Sequence, residues 1–409
     1  MQLKRKLIAV VGVMVPLLVT FILLEIGLRI WGGVTPMPAG WQWENSPLRS
    51  LQPAAAATEV NALRLRGQAF SYTDADYVVL LVGDSQVEAA AVPFDQMPEK
   101  RLQQQLAAAL QRPVKVFSLA SSGWSQDQQY LAMQAYFEKH RADLVLVWLT
   151  PSNDFWENGF PERNMFWFAG ALKPTFYLEG EKLKGPLYTQ PRYAFGLHTV
   201  QMAFNASGYR FGQQFELLKW YLRMPAAATT PPYDHCPTPK TTEISFFGFL
   251  GAMEEILPDA AYTLTLEEDL EHTRGHFGQR VLPATKYTVY QQKVTQALYE
   301  KMAALATQHG AGLKMFYRKQ HGYDRIFAQI KCVKTAKGYY TFQPKMLESV
   351  IARLVPAGHL LMVETPYGLE NYVSKFDRHY SALGIARAMD DLAGKLVPHI
   401  RAASQDGTS

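Results

Sequence analysis

Tyr77-Val78-Val79-Leu80-Leu81-Val82-Gly83-Asp84-Ser85 is an unbroken apolar run that ends on a glycine, an acid and a serine. Consecutive apolar residues without polar alternation predict a strand buried on both faces. A serine directly behind such a strand stands on a tight turn, with Gly83 permitting the bend. Its hydroxyl works as a nucleophile only where a base and an oxyanion site converge on it.

The same pattern recurs downstream. A helix opens at Pro98 and sets Leu102, Leu106 and Leu110 on one face. The second strand is Val114–Leu119, a helix follows over residues 126–140, and the third strand is Leu144–Leu149. Tyr287, Tyr290, Val294, Leu298, Met302 and Leu305 then have helical spacing as far as Gly310. The fourth strand is Leu313–Tyr317, a helix covers residues 344–354, and the fifth strand is Leu360–Val363. A last helix begins near Ser381 and carries Ile385, Met389, Leu392 and Leu396. Strand–helix alternation of this kind predicts a parallel sheet between two helical layers, with ligands bound beyond the carboxyl ends of the strands.

The alternation is interrupted. Residues 155–286 are rich in aromatics, prolines and glycines, have no period, and read as an insertion or subdomain. Within it, Thr175–Leu178, Glu179-Gly180 and Glu181–Leu183 read as a hairpin. The expected organisation is a cytoplasmic tip and membrane anchor over 1–33 and a Pro- and Ala-rich stalk over 34–70. A core in two parts follows, 71–154 and 287–400, flanking the insertion, and 401–409 is a tail.

The amino terminus is a membrane signal. Lys4-Arg5-Lys6 precede an uncharged run of 18 residues, Leu7–Leu24, and continuing to Trp31 gives a helix long enough to cross a bilayer. The basic cluster places the amino terminus in the cytoplasm and the body outside it. No small-x-small site follows Leu24 and no lipobox cysteine is present, which favours a retained anchor over a cleaved secretory peptide. The formal charge of +5 is concentrated there: the first 33 residues carry +3, leaving +2 for the body and no electrostatic case for nucleic-acid binding. The two cysteines, Cys236 and Cys332, either pair, as an exported protein permits, or stay as two free thiols.

Four clusters fall at the strand–helix junctions. Ser85 follows the first strand. Ser121-Ser122-Gly123-Trp124 follows the second, where a glycine brings its backbone N–H close to a reacting carbonyl. Pro151-Ser152-Asn153-Asp154 follows the third, where the Asn153 amide can donate to a developing oxyanion. Asp377-Arg378-His379 precedes the last helix, offering a base and the acid that orients it. Each is an ordinary turn or helix cap when taken alone. Together they are a nucleophile, a base, an orienting acid and oxyanion donors. Beside them, Trp124, Asp154 and Trp156 are candidate substrate contacts. The cluster Trp156, Phe160, Phe166, Trp167 and Phe168 stacks on sugars or packs within the insertion, with packing the commoner fate of such rings. His272 and His276 have the spacing of a helical metal pair, but Gly275 lies between them and no third ligand is apparent, so no metal is expected.

On these residues the chain resembles the SGNH/GDSL hydrolase superfamily. Ser85, Gly123, Asn153 and His379 match its four blocks, with Asp377 as the triad acid. The resemblance implies a flavodoxin-like, doubly wound sheet of five parallel strands. It also implies an oxyanion hole made by the N–H groups of Ser85 and Gly123 and the Asn153 amide. Leu24-Glu25 with Arg29, and Asn61 to Arg66, are similar to segments of its membrane-anchored bacterial members, many of them associated with O-acyl groups on extracytoplasmic polysaccharides. The chain departs from the usual blocks at Pro151, at the Asp-x-His spacing, at Ser381 and at Arg64.

The expected function is a serine esterase, without a cofactor. It removes O-acyl groups, most simply acetyl, from an extracytoplasmic glycan and is held in the inner membrane by residues 7–31, its catalytic body on the periplasmic side. Three other readings use the same residues: an O-acyltransferase served by an acyl-donor or polysaccharide-assembly partner in the membrane, a lipid or thioester hydrolase, and a non-catalytic anchored scaffold.

Overall fold

The computed structural model describes residues 2–32, 59–151, 153–159, 175–187, 196–206, 231–245, 260–266, 277–320, 327–366, 368–374 and 377–406. The chain divides into two compact units. One comprises residues 1–42, 161–175 and 187–224, and the other comprises 43–160, 176–186 and 225–409.

In the larger unit, five strands form a parallel sheet: β1 (Tyr77–Gly83), β2 (Val114–Ala120), β3 (Leu144–Leu149), β9 (Gly312–Gln320) and β12 (Leu360–Thr365). Their order across the sheet is β12-β9-β3-β1-β2. Renumbered by their order in this sheet alone, that is 2-1-3-4-5 read from the other edge, a doubly wound order of the flavodoxin-like kind that the resemblance implies. β1, at the second position, pairs with both β2 and β3, so three junctions stand side by side.

The helices of this unit are α2 (Ser85–Glu88), α3 (Pro98–Leu110), α4 (Gln126–Phe137), α5 (Asp154–Gly159), α7 (Lys286–Gln308), α8 (Met346–Leu354) and α9 (Ala382–Asp406). Leu102 and Leu106 of α3 and Ile385, Met389, Leu392 and Leu396 of α9 pack on Val79, Leu81, Val116, Leu146, Trp148, Phe316 and Val363. Alternate residues of the same strands, Val78, Leu80, Val82, Phe117 and Val145, are equally buried. Burial on both faces is why the strands read as continuous apolar runs. Each such side chain contributes about 1.5–3 kcal/mol by leaving water.

Two expectations about boundaries are corrected. The stalk was expected over 34–70, but its last part, residues 59–70, belongs to the body. Leu65 is fully buried, and the Asn61 amide donates to the Ser118 carbonyl. The Arg66 guanidinium donates to the carbonyls of Glu88, Ala89 and Val92. The Glu99 carboxylate, pushed up by burial, accepts the N–H groups of Gln68 and Ser118. The rest of the stalk lies outside the described residues.

The insertion also has different limits. The hairpin β4 (Thr175–Glu179) and β5 (Lys182–Leu187) forms as read. A second five-stranded sheet, however, draws on both sides of the boundary at 286. It joins β6 (Thr242–Ser245), β7 (Tyr262–Thr265) and β8 (Val281–Leu282) to β10 (Ile330–Thr335) and β11 (Gly338–Phe342), in the order β6-β7-β10-β11-β8. It has its own apolar cluster of Leu264, Phe277, Val281, Phe327, Ile330, Val333, Tyr340 and Phe342. Cys236 and Cys332 are joined by a disulfide across 96 residues of sequence, which settles the alternative left open by the sequence.

The smaller unit holds α1 (Gln2–Ile30) and α6 (His198–Ala206). The 21 residues Val10–Ile30 are long and apolar enough to cross a membrane, with a mean hydropathy of 2.4.

Candidate active site

Ser85 is the first residue of the short helix α2 and is nearly buried. Asp84 caps that helix, its carboxylate accepting the Gln86 N–H at 2.9 Å. Gly83 is needed for room, not for a left-handed backbone: its φ is not positive, and a Cβ there would collide with Cγ2 of Val87. The helix ends after one turn at Ala89, which is left-handed.

The second junction is a turn closed by the Trp124 N–H on the Ser121 carbonyl, 3.1 Å, with Gly123 at φ +77°. A glycine is favoured at that position because a Cβ would be strained there. At the third junction, the N–H groups of Asn153 and Asp154 both donate to the Thr150 carbonyl, which starts α5. In the fourth, the Asp377 carboxylate accepts the backbone N–H of His379 at 3.0 Å and pairs with His379 Nδ1 at 2.5 Å. Burial draws the Asp377 carboxyl upward, but the His379 N–H, its imidazole and its charge together hold it below the ordinary value. That bond leaves Nε2 as the imidazole nitrogen available to a substrate or nucleophile. The loop closes on itself through Val373 N–H to His379 O and Ser374 N–H to Asp377 O. Ser381 caps α9 by accepting the Gly384 N–H.

What brings these junctions together is the polar residues around Ser85, to which the sequence reading gave no role. The carboxylate of Asp84 accepts the Asn153 amide at 3.2 Å. An amide nitrogen has two hydrogens, so one remains for an oxyanion. The amide of Gln86 brackets His379: its Oε1 accepts the Tyr380 N–H at 3.2 Å and its Nε2 donates to the Arg378 carbonyl at 3.4 Å. The carboxylate of Glu88, buried, accepts both the N–H and the hydroxyl of Ser122, at 2.7 and 2.6 Å, beside Gly123. One side chain each from Asp84, Gln86 and Glu88 therefore ties the serine turn to one of the other three junctions. Polar residues at every second position straight after an apolar strand were the signal available in the sequence.

Asp84 is fully buried, and burial pushes its carboxyl up against the Gln86 and Asn153 bonds and the charge of His379, which pull it down. His379 and Asp377 are both close to half exposed, so water reaches the base.

The expected substrate contacts do not form a surface. Trp124, Asp154 and Trp156 are all buried. Asp154 accepts from the Thr150 N–H at 2.7 Å and from the Gln126 amide at 2.8 Å, so it builds the third junction from behind. Both indoles lie inward, where their large apolar area is removed from water. Phe160, Phe166, Trp167, Phe168, His272 and His276 lie outside the described residues, as does Ser152. The Cys236 sulfur is committed to the disulfide.

No family model and no curated protein matches the chain. Among solved structures it is similar to a lipase, Lip_vut3, from a goat rumen metagenome. That match has 10% identity and a TM-score of 0.33, over 78% of this chain and 96% of the lipase. It is also similar to TesA, at 12% identity and a TM-score of 0.26, over 78% of this chain and 98% of that one. The acetyl xylan esterase AlAXEase has 9% identity and a TM-score of 0.26, over 78% and 99%. At these scores the matches carry no argument of their own; the order of the sheet and the residues at its junctions do. By both, the chain is similar to the SGNH/GDSL hydrolases.

Proposed function

We propose that the chain is a membrane-anchored serine esterase that removes O-acyl groups, acetyl first among them, from an extracytoplasmic polysaccharide. The observation that carries the catalytic reading is the bracket on His379: both its chain neighbours are bonded to the residue that follows Ser85, and its ring is paired with Asp377.

His379 Nε2 takes the Ser85 hydroxyl proton as Oγ attacks the ester carbonyl. Asp377 holds the Nδ1–H tautomer and stabilises the imidazolium. The N–H groups of Ser85 and Gly123 and the Asn153 amide receive the oxyanion. The imidazolium returns its proton to the leaving sugar oxygen, and the acyl group stays on Ser85. Water, deprotonated by His379, then releases the acid.

Two observations support the location. A disulfide persists in oxidising compartments outside the cytoplasm. Glu25, on the apolar helix, is bonded to a helix 173 residues away, which a cleaved signal peptide would forfeit.

The test is capture of an acyl group on Ser85 by mass spectrometry after exposure to an acetylated oligosaccharide, with release of free acid followed in the same reaction. An acetyl adduct on Ser85 and free acetate support the reading. Transfer of the acyl group to an added glycan hydroxyl would replace hydrolysis by acyl transfer, and preference for long-chain esters would replace the glycan by a lipid. Absence of any adduct, together with no labelling by a fluorophosphonate, would leave an anchored scaffold.

A further inference from the structure

Among the described side chains of the smaller unit, polar groups turn inward and apolar ones outward, Leu28 excepted. On α1 the described side chains from Val10 to Ile26 are apolar and exposed, apart from Thr20 and the acid Glu25, which is buried at 8% exposure. On α6 the inward residues are polar, Thr199 and Gln201 at 6% and 1%, while Leu197 at its amino end, Val200 and Met202 stand outward. A helix in water shows the reverse.

Glu25 explains how the two helices hold together. Its Oε1 accepts Arg29 Nε at 2.8 Å and the His198 N–H at 3.0 Å. Its Oε2 accepts the Thr199 N–H at 2.8 Å and the Thr199 hydroxyl at 2.9 Å. Arg29 in turn donates to the Gly196 carbonyl at 2.8 Å. An acid on a long apolar helix thus serves as the cap for the amino end of α6, where free N–H groups would otherwise need water. In hydrocarbon there is none, and polar groups turn inward and pair.

We infer that α6 is a second membrane-seated element, covered on Leu197, Val200 and Met202 by the phospholipid bilayer that holds α1. This rests on reading α1 as spanning. The Glu25 clamp holds α6 directly to the apolar helix α1, which favours lipid over a protein partner. With 9 residues, α6 is too short to span and sits in one leaflet. Residues 25–29 lie at the end of α1 away from Lys4-Arg5-Lys6, so that leaflet is the one opposite the basic cluster.

The test uses the full chain in vesicles of phosphatidylcholine and phosphatidylglycerol. The native cysteines are tied in the disulfide, so a polarity-sensitive thiol dye reports Val19→Cys on α1, Met202→Cys on α6 and Ala403→Cys on the exposed end of α9. Lipids with a nitroxide on the acyl chain are expected to remove most emission from the first two and to spare the third. Combining Met202→Cys with Glu25→Ala is expected to restore the Met202 signal while Val19 stays quenched. Quenching at Val19 without quenching at Met202 overturns the inference and leaves the anchor standing. A blue-shifted but unquenched Met202 probe, the sign of a protein partner or a second copy, overturns it too. No quenching at Val19 removes the spanning reading itself.

Discussion

The larger unit contains two five-stranded sheets made on different principles. The first is parallel, covered on both faces by helices, and carries every candidate catalytic residue beyond the ends of its strands. The second is mixed, has strands of two to six residues, and is supplemented by a covalent link at the centre of β10. Among the described residues its apolar cluster is the smaller of the two. A sheet with a large core can afford buried carboxylates at its rim, as at Asp84 and Glu88. A sheet with a small core gains from a crosslink that restricts its unfolded chain.

The contrast breaks most sharply at Ser85. Ser85→Ala is expected to lower kcat/KM on aryl acetates by about 10⁴-fold or more with an unchanged melting temperature. Turnover at the native rate would remove the nucleophile from the first sheet's rim. The reverse pattern is expected for the second sheet. Replacing Cys236 and Cys332 by serine should cost about 3–5 kcal/mol of stability. Activity in the folded protein should survive, and hydrogen exchange should rise first in β7 and β10. Equal loss of protection in β1 and β3 would show that the two sheets unfold as one.

Smaller effects sharpen the account of the rim. Asn153→Ala is expected to reduce kcat by about 10²–10³-fold, the usual effect of losing one oxyanion donor. A change in KM alone would make Asn153 a binding residue. Gln86→Ala frees both flanks of His379 and is expected to reduce kcat by about tenfold to a hundredfold, since small misplacements of a base are costly. Its KM should stay near the native value. Loss confined to stability, with kcat intact in the folded fraction, would make Gln86 a purely structural clip.

The reach of sequence reasoning follows the same contrast. β1, β2 and β3 were legible because both faces of each are buried, and α7 and α9 because their apolar faces repeat at helical spacing. β10 and β11 were overlooked. Ile330, Cys332 and Val333 are interleaved with Lys331 and Lys334 without the strict alternation that marks a strand, although Gly338 follows as a turn residue. β6, β7 and β8 are too short to be distinguished from loop by pattern alone. Adjacency to Gly123 and Asn153 in the chain points Trp124 and Trp156 to the substrate, whereas burial depends on which side of the chain a residue faces.

The alternation of strands and helices, the apolar helix at the amino terminus and the residues standing at each junction are readable along the chain, since they are local properties of pattern and spacing. That Cys236 meets Cys332, that Glu25 caps a helix 173 residues onward, and that Asp84, Gln86 and Glu88 each hold a different junction emerges in the folded chain alone. Those are pairings between groups far apart in the chain, most of them polar and largely shielded from water. Which partner satisfies a buried donor or acceptor is fixed by the geometry of the packed core, and spacing along the chain carries no record of it.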